Sequence, residues 1–271
     1  MPHTQRLSAY VLLGTAAAVL VAGGSCVPRL LAAEEPPTVL VTGSSRGMGF
    51  ELARQYAEKG WTVIATCRTP KQADALQALA ARKTNIIVEE MDVTNEVEIE
   101  ALATKYQNTP IDVLINNAGI FGYEDLQSFE VLDYETFVQV MAVNVYGPLK
   151  VSQAFAEPVA ASELKKIVTL TSGLGSMSLT EQRGGYYFYR ASKASANIIG
   201  RTLAADLRDR GILIGLFNPG IVNTDFLKWT SYAGPTIEPA EAVTKLIGFI
   251  ENLNQENNAV MTNHDGTTMP W

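Results

Sequence analysis

From Thr38 onward, short runs of Val, Ile and Leu alternate with longer segments whose apolar residues recur at helical spacing. The short runs predict strands at Thr38–Thr42, Thr62–Cys67, Asn85–Met91, Val113–Asn116, Lys166–Leu170, Leu213–Asn218 and Asn258–Met261. The longer segments predict helices over Phe50–Lys59, Lys71–Lys83, Glu96–Tyr106, Tyr134–Ala154, Arg190–Arg210 and Pro239–Asn252. Strands that are apolar throughout are buried on both faces, and strands separated by helices pair in parallel. The expectation is one doubly wound α/β domain over residues 36–271, a mostly parallel seven-stranded sheet flanked by helices. No linker or repeat divides it.

Ahead of this pattern, residues 1–35 contain an uncharged stretch between Arg6 and Arg29, rich in Ala, Val and Leu. It is long enough to cross a bilayer, which takes about 20 apolar residues. It also reads as a signal peptide, with Arg6 as the basic flank, an apolar core and small residues after it. Both readings place the chain at a membrane or outside it, with sidedness open, and both exclude the segment from the fold.

Composition narrows the function classes. The 271 residues and 47% hydrophobic content suffice for one large core. A net charge of -7 with scattered Lys and Arg argues against a nucleic-acid partner. Two cysteines and two histidines exclude a disulfide framework and argue against a metal site.

The first predicted strand runs into Thr42-Gly43-Ser44-Ser45-Arg46-Gly47-Met48-Gly49, and a helix follows at once. Glycines between a first strand and a first helix let the backbone approach a pyrophosphate at the helix N-terminus. That placement points to a dinucleotide and a Rossmann-type fold. The second strand ends at Cys67-Arg68 without the acid that would hold a ribose 2′-hydroxyl, and Arg46 adds a second cation. Guanidinium pairs suit phosphate, so NADP(H) is favoured over NAD(H). Asp92-Val93 and Asn116-Asn117-Ala118-Gly119 close the third and fourth strands, at the ends where ligands of open sheets bind.

Tyr189 and Lys193 stand four apart on a predicted helix, hence on one face. A nearby ammonium would pull a phenol down from its ordinary range near about 10, and such a phenol can exchange a proton with a carbonyl oxygen. The spacing alone is weak: Tyr146 and Lys150 repeat it with Pro148 between them. What separates the two pairs is Ser172, which closes the strand Lys166–Leu170 just before the helix of Tyr189.

Together these motifs resemble the short-chain dehydrogenase/reductase family from Thr38 to the C-terminus. The resemblance identifies Gly43, Gly47 and Gly49, with Ser45, Arg46 and Met48 between them, as the cofactor loop. It makes Asp92 the adenine contact beside Val93, and Asn117, Ala118 and Gly119 a cofactor-lining motif. Asn144, Ser172, Tyr189 and Lys193 match its catalytic tetrad, with Asn144 kinking its helix and holding a water and Lys193 bonding the nicotinamide ribose. Pro219, Gly220, Val222 and Thr224 match its nicotinamide-side loop. The ending Asp265–Trp271 is similar to the carbonyl-reductase and C-factor-like branch. A long leader and an extended segment around Glu181–Gly185 depart from the family pattern.

The implied activity is hydride transfer between NADP(H) and a small carbonyl or secondary alcohol. Phe121, Phe226, Trp229 and the run Tyr186-Tyr187-Phe188 suggest an apolar pocket that tolerates aromatic groups. By the same resemblance the long helices Tyr134–Ala154 and Arg190–Arg210 are faces for a homo-oligomer. The competing expectation is a nucleotide-binding redox sensor or signalling protein without turnover; an intact Ser172, Tyr189 and Lys193 set argues against it.

Overall fold

The computed structural model describes residues 35–180 and 184–271. The leader, apart from Glu35, and Glu181, Gln182 and Arg183 lie outside these residues, so the readings placed on them stay expectations. Among the described residues no helix is long and apolar enough to cross a membrane.

Seven strands form one sheet: β1 Thr38–Val41, β2 Thr62–Cys67, β3 Ile86–Glu90, β4 Val113–Asn116, β5 Lys166–Leu170, β6 Leu213–Asn218 and β7 Met261–Asn263. Their order is β3-β2-β1-β4-β5-β6-β7, and every pairing is parallel. The chain therefore runs outward from β1 in one direction, returns, and runs outward from β4 in the other. The break in order between β1 and β4 leaves a crevice at their carboxyl ends, the place where open sheets hold ligands.

Helices α1 Gly47–Glu58, α2 Asp74–Arg82 and α8 Pro239–Glu251 cover one face. Helices α3 Glu96–Lys105, α4 Tyr134–Met141, α5 Gly147–Ala154, α6 Ala156–Ala160 and α7 Tyr187–Asp206 follow the remaining crossovers. Successive strand residues feed opposite cores: Val39 and Val41 pack with Leu52, Val63 and Leu246, while Leu40 packs with Ile64, Leu114, Val151 and Phe155. Each fully buried aliphatic or aromatic side chain contributes about 1.5–3 kcal/mol, which offsets the roughly 1–2 kcal/mol per residue lost in ordering the backbone.

Helices α1 and α7 each start three residues earlier than expected, and α7 ends at Asp206 rather than Arg210; three further boundaries differ. The last strand starts at Met261, three residues late, because Ala259 turns the chain in the left-handed region at φ 55°. The segment expected as one helix from Tyr134 is interrupted at Ala142–Tyr146 by a π-helical turn before α5. The helix expected from Lys71 begins at Asp74 after a short 3-10 turn at Pro70–Gln72.

At the crevice, Gly43 turns at φ +70°, and a Cβ there would meet the Ala118 Cα at 3.0 Å. Gly49 has no room at all: a Cβ would lie 2.2 Å from the Gly43 carbonyl oxygen and 2.6 Å from the Asn117 amide nitrogen. Gly49→Ala is therefore expected to destabilise the fold by about 2–3 kcal/mol, since backbone must shift to admit a methyl group. Urea unfolding checks this, with a lowered midpoint and an unchanged slope as the expected result.

Candidate active site

The glycine turn and the end of β4 are tied together. Thr42 Oγ1 accepts the main-chain N–H groups of Asn117 and Ala118, both at 3.0 Å, and Asn117 Nδ2 donates to the Thr42 and Gly43 carbonyls at 2.8 and 3.2 Å. Arg46 precedes α1 in extended conformation and gives it no side-chain cap. The first N–H groups of the helix, from Gly47, Met48 and Gly49, have no acceptor within the helix. A cavity of about 360 Å³ opens beside them, lined by Gly47, Phe50, Asn223, Thr224, Asp225 and Pro239. A larger cavity of about 510 Å³ lies at the far edge of the sheet among Phe249, Asn257 and His264, and none of the site residues named below lines it.

On the opposite side of the crevice, β5 ends two residues before Ser172, whose Oγ accepts the Leu174 N–H at 3.2 Å and starts a 3-10 turn at Gly173–Gly175. Helix α7 then brings Tyr189 and Lys193 back beneath it. Both are buried, at 6% and 8% exposure. The Ser172 side chain is near enough to the Tyr189 phenol to oppose the upward push of burial on it. Lys193 Nζ donates to the Leu170 carbonyl at 2.8 Å and sits 5.7 Å from the centroid of the Tyr189 ring. Ser172, Tyr189 and Lys193 are therefore brought together as the spacing predicts.

Their electrostatics differ from the expectation. Lys193 does not draw the phenol down. Burial pushes the Tyr189 phenol well above its usual range, with the Ser172 side chain opposing. Burial likewise pushes Lys193 down to about 8. The physical reason is an aromatic enclosure: the Phe121 ring lies 4.7 Å from Tyr189 at 33°, and Phe226 lies 5.8 Å away. A phenolate there would lose its hydration, and that loss exceeds the benefit of a cation that is itself desolvated.

Asn144 lies in the π-helical turn and is 2% exposed. Its Oδ1 accepts the Ile120 N–H at 2.8 Å, and its Nδ2 donates to the Ile120 carbonyl at 2.8 Å and to Ser192 Oγ at 3.0 Å. Asn144 thus sits in a π-helical turn inside a helical segment, a feature frequent at functional positions. The side chain clamps the loop after β4 and contacts α7 through Ser192, with no direct bond to Lys193. The second pair, Tyr146 and Lys150, is a solvated face: Tyr146 bonds Glu96 and Lys150 pairs with Glu100.

Over residues 37–232 the sequence that builds this site matches the profile of the short chain dehydrogenase family. The chain belongs to the short chain dehydrogenase family. It is 33% identical over 237 residues to "1-hydroxy-2-glutathionyl-2-methyl-3-butene dehydrogenase" of a Rhodococcus species, covering 86% of this chain and 99% of that protein. It is also 33% identical over 175 residues to "C-signal" of Myxococcus xanthus, covering 64% of this chain and all of that protein. Among solved structures, the NADPH-bound carbonyl reductase from chicken fatty liver superposes with a TM-score of 0.80 at 27% identity, covering 88% of this chain and 100% of that one.

The remaining predicted residues of this dehydrogenase fall around the crevice. Arg46, just before α1, and Arg68, just after β2, are exposed. Asp92 Oδ1 accepts from the Thr94 N–H and Oγ1, both at 2.8 Å, while Val93 is buried in the core. The loop after β6 folds over the glycine turn: Gly220 turns at φ 78°, Val222 bridges to Ile237, and the Thr224 methyl faces Gly47. Lys228, with a smaller contribution from Arg46, holds the Asp225 carboxyl below its usual range.

Several positioning groups escaped the sequence reading. Thr42 staples the two loops. Ser192 Oγ donates to the Tyr189 carbonyl at 2.8 Å. Asn197, one turn beyond Lys193, bonds Thr171 and donates to the Gly175 carbonyl at 3.3 Å. For Ser192 and Asn197 a signal existed, since polar residues recurring on the buried face of an amphipathic helix need partners. Gln127 sits in a loop without any pattern to flag it.

Proposed function

We propose that the chain is an NADP(H)-dependent oxidoreductase that passes a hydride between the nicotinamide and a small carbonyl or secondary alcohol, with Tyr189 as general acid and base. The observation carrying this reading is the cluster of half-buried Ser172 with buried Tyr189 and Lys193 after β5, in a chain whose glycine turn runs from β1 into an α1 that has no side-chain cap. The NADPH-bound state of the similar chicken carbonyl reductase supports the choice of nucleotide.

The residues present fit that nucleotide. Gly43 turns in the left-handed region and Gly49 lets α1 pack directly against the Gly43 carbonyl, so the turn that a pyrophosphate would meet is compact backbone rather than side chains. The N–H groups of Gly47, Met48 and Gly49 meet its charge, with Ser45 beside them. Arg46 and Arg68 take the 2′-phosphate, Asp92 the adenine, and Asn117, Ala118, Gly119, Pro219, Gly220, Val222 and Thr224 line the remainder. When bound, the nucleotide supplies the hydride. In the reducing direction Ser172 Oγ holds the carbonyl oxygen and Tyr189 Oη hands it a proton; burial keeps the phenol protonated beforehand. Lys193 orients the ribose and places positive charge near the oxygen, and Asn144 fixes the loop over which the substrate passes. Phe121, Tyr186 and Phe226 around Tyr189 suit a carbonyl with an apolar or aromatic substituent.

Nucleotide oxidation over a panel of aromatic and aliphatic aldehydes and ketones tests the activity. Turnover with at least one is expected. Tight NADPH binding without turnover on any of them would instead favour a nucleotide-binding sensor. Removing Arg46 and Arg68 together as alanines is expected to raise KM for NADPH by about 10–100-fold and leave KM for NADH within about threefold, because each guanidinium contact with phosphate contributes about 1.5–3 kcal/mol. Equal changes for both nucleotides would remove the preference from these two residues.

A further inference from the structure

The loop that follows β4 and the helix that carries Tyr189 are joined by one buried amide. Gln127 lies just after a short 3-10 turn, outside every helix and strand, and is 0% exposed. Its Oε1 accepts the main-chain N–H of Tyr189 at 3.0 Å. Its Nε2 donates to the carbonyls of Phe121 at 2.9 Å and Tyr123 at 3.3 Å. Its own carbonyl accepts the Tyr187 N–H at 3.3 Å.

These bonds solve a problem at the start of α7. The residue before the helix, Tyr186, is in the left-handed region at φ 55° and supplies no side-chain cap. The first N–H groups of a helix have no partner within it, and burying them unpaired costs about 1–3 kcal/mol each. Gln127 takes two of them, one being that of Tyr189. A buried amide is itself costly unless both of its ends are satisfied, and an apolar residue of the same volume would fill this space without that cost. What the amide adds is geometry.

That geometry concerns the two halves of the site at once. Phe121 stacks on the Tyr189 ring, and Tyr123 stacks edge-on against Trp229 at 5.3 Å. The main chain of Tyr189 is held at its N–H by Gln127 and at its carbonyl by Ser192, which Asn144 contacts in turn. The turn between Phe121 and Tyr123 is tight, since a Cβ on Gly122 would lie 3.2 Å from Gln127 Nε2 and 2.8 Å from a Val140 methyl. A shift of Gln127 would therefore move the pocket wall and the phenol relative to each other.

We propose that Gln127 is a positioning residue, setting the Tyr189 phenol through its acceptor end and the carbonyl-binding wall through its donor end. This rests on the reading of Tyr189 as the proton donor. The two ends are separable by substitution. Gln127→Met keeps volume and removes every side-chain bond. Gln127→Glu keeps the acceptor for the Tyr189 N–H, at a helix N-terminus that favours negative charge, and removes the donor toward Phe121 and Tyr123.

The test is steady-state kinetics of the full chain with NADPH and a carbonyl that the wild-type protein reduces, alongside NADPH affinity by calorimetry. Gln127→Met is expected to lose about 30-fold in kcat, as small misplacements of a reacting group do, with KM for the carbonyl raised about fivefold. Gln127→Glu is expected to keep kcat within about threefold of wild type while the rise in carbonyl KM persists. NADPH affinity should stay within about twofold for both. An unchanged kcat in Gln127→Met overturns the inference. So do equal kcat losses in both variants, or a matching loss of NADPH affinity. If Gln127→Met does not fold, Gln127→Glu decides: raised KM with retained kcat supports the role, and lost kcat ends it. A wild-type protein that reduces no carbonyl would defeat the functional reading instead, before either variant is compared.

Discussion

Replacing Tyr189 by Phe is expected to lower kcat for carbonyl reduction by about 10²–10⁴-fold while leaving NADPH affinity within about threefold of wild type. The substitution removes one oxygen and keeps the ring that Phe121 and Phe226 enclose, so the aromatic wall stays in place. Any one hydrogen bond lost with the oxygen contributes about 0.5–1.5 kcal/mol, too little to unfold a domain of this size. Because burial already holds the phenol in its protonated form, nothing else in the cluster can take over as donor: Lys193 faces the Leu170 carbonyl and Ser172 is an alcohol. The comparison is made with the carbonyl that the wild-type protein turns over fastest. A variant within tenfold of wild type would mean the proton reaches the substrate oxygen from water, and Tyr189 would be reduced to a hydrogen-bond donor.

The parts of this site that were legible in the sequence are those written locally. A buried parallel strand is a continuous apolar run, and its end is marked where glycine, asparagine or aspartate takes over, so β1 through β6 and the loops at their carboxyl ends could be placed from residue order alone. The Tyr189 and Lys193 spacing survived for the same reason: one helix turn is a local property. The direction of the Tyr189 titration was not legible. It depends on Phe121 and Phe226, which are far from it along the chain and reach it only through the sheet topology. The π-helical turn at Asn144 was also hidden, because one added residue in a hydrogen-bond ladder scarcely disturbs an apolar period of three to four. Its hydrogen bonds to Ile120 and Ser192 join residues 24 and 48 positions away, which no local pattern can mark. Gln127 is the extreme case: a lone polar residue in an irregular loop gives no periodic signal, yet both of its amide ends are used.

Replacing Lys193 by Met is expected to move activity and stability in opposite directions. Activity should fall about a hundredfold or more, with weaker NADPH binding, because the charge near the developing alkoxide and the proposed ribose donor are both lost. Stability at pH 7 should rise by about 1–2 kcal/mol. Lys193 is held at about 8 against an ordinary 10.5, and burial is the sole cause, so the charged form carries a penalty of about 3 kcal/mol in the folded protein. The lost hydrogen bond to the Leu170 carbonyl returns about 1 kcal/mol of that. The sign of the pH dependence follows from proton counting. Below pH 8 both folded and unfolded chains hold the proton, and the penalty on wild type is complete. Between pH 8 and 10.5 the unfolded chain holds a proton that the folded one has released, so wild-type stability rises with pH in this window. The advantage of Lys193→Met should therefore be largest at neutral pH and shrink as pH climbs toward 10.5. Urea unfolding of both proteins at pH 7 and 9.5 measures it; a variant less stable than wild type at pH 7 would mean the folded protein solvates this ammonium better than its burial implies. A buried cation that destabilises the fold is retained only where its charge is used, and here that use would be beside the Tyr189 hydroxyl.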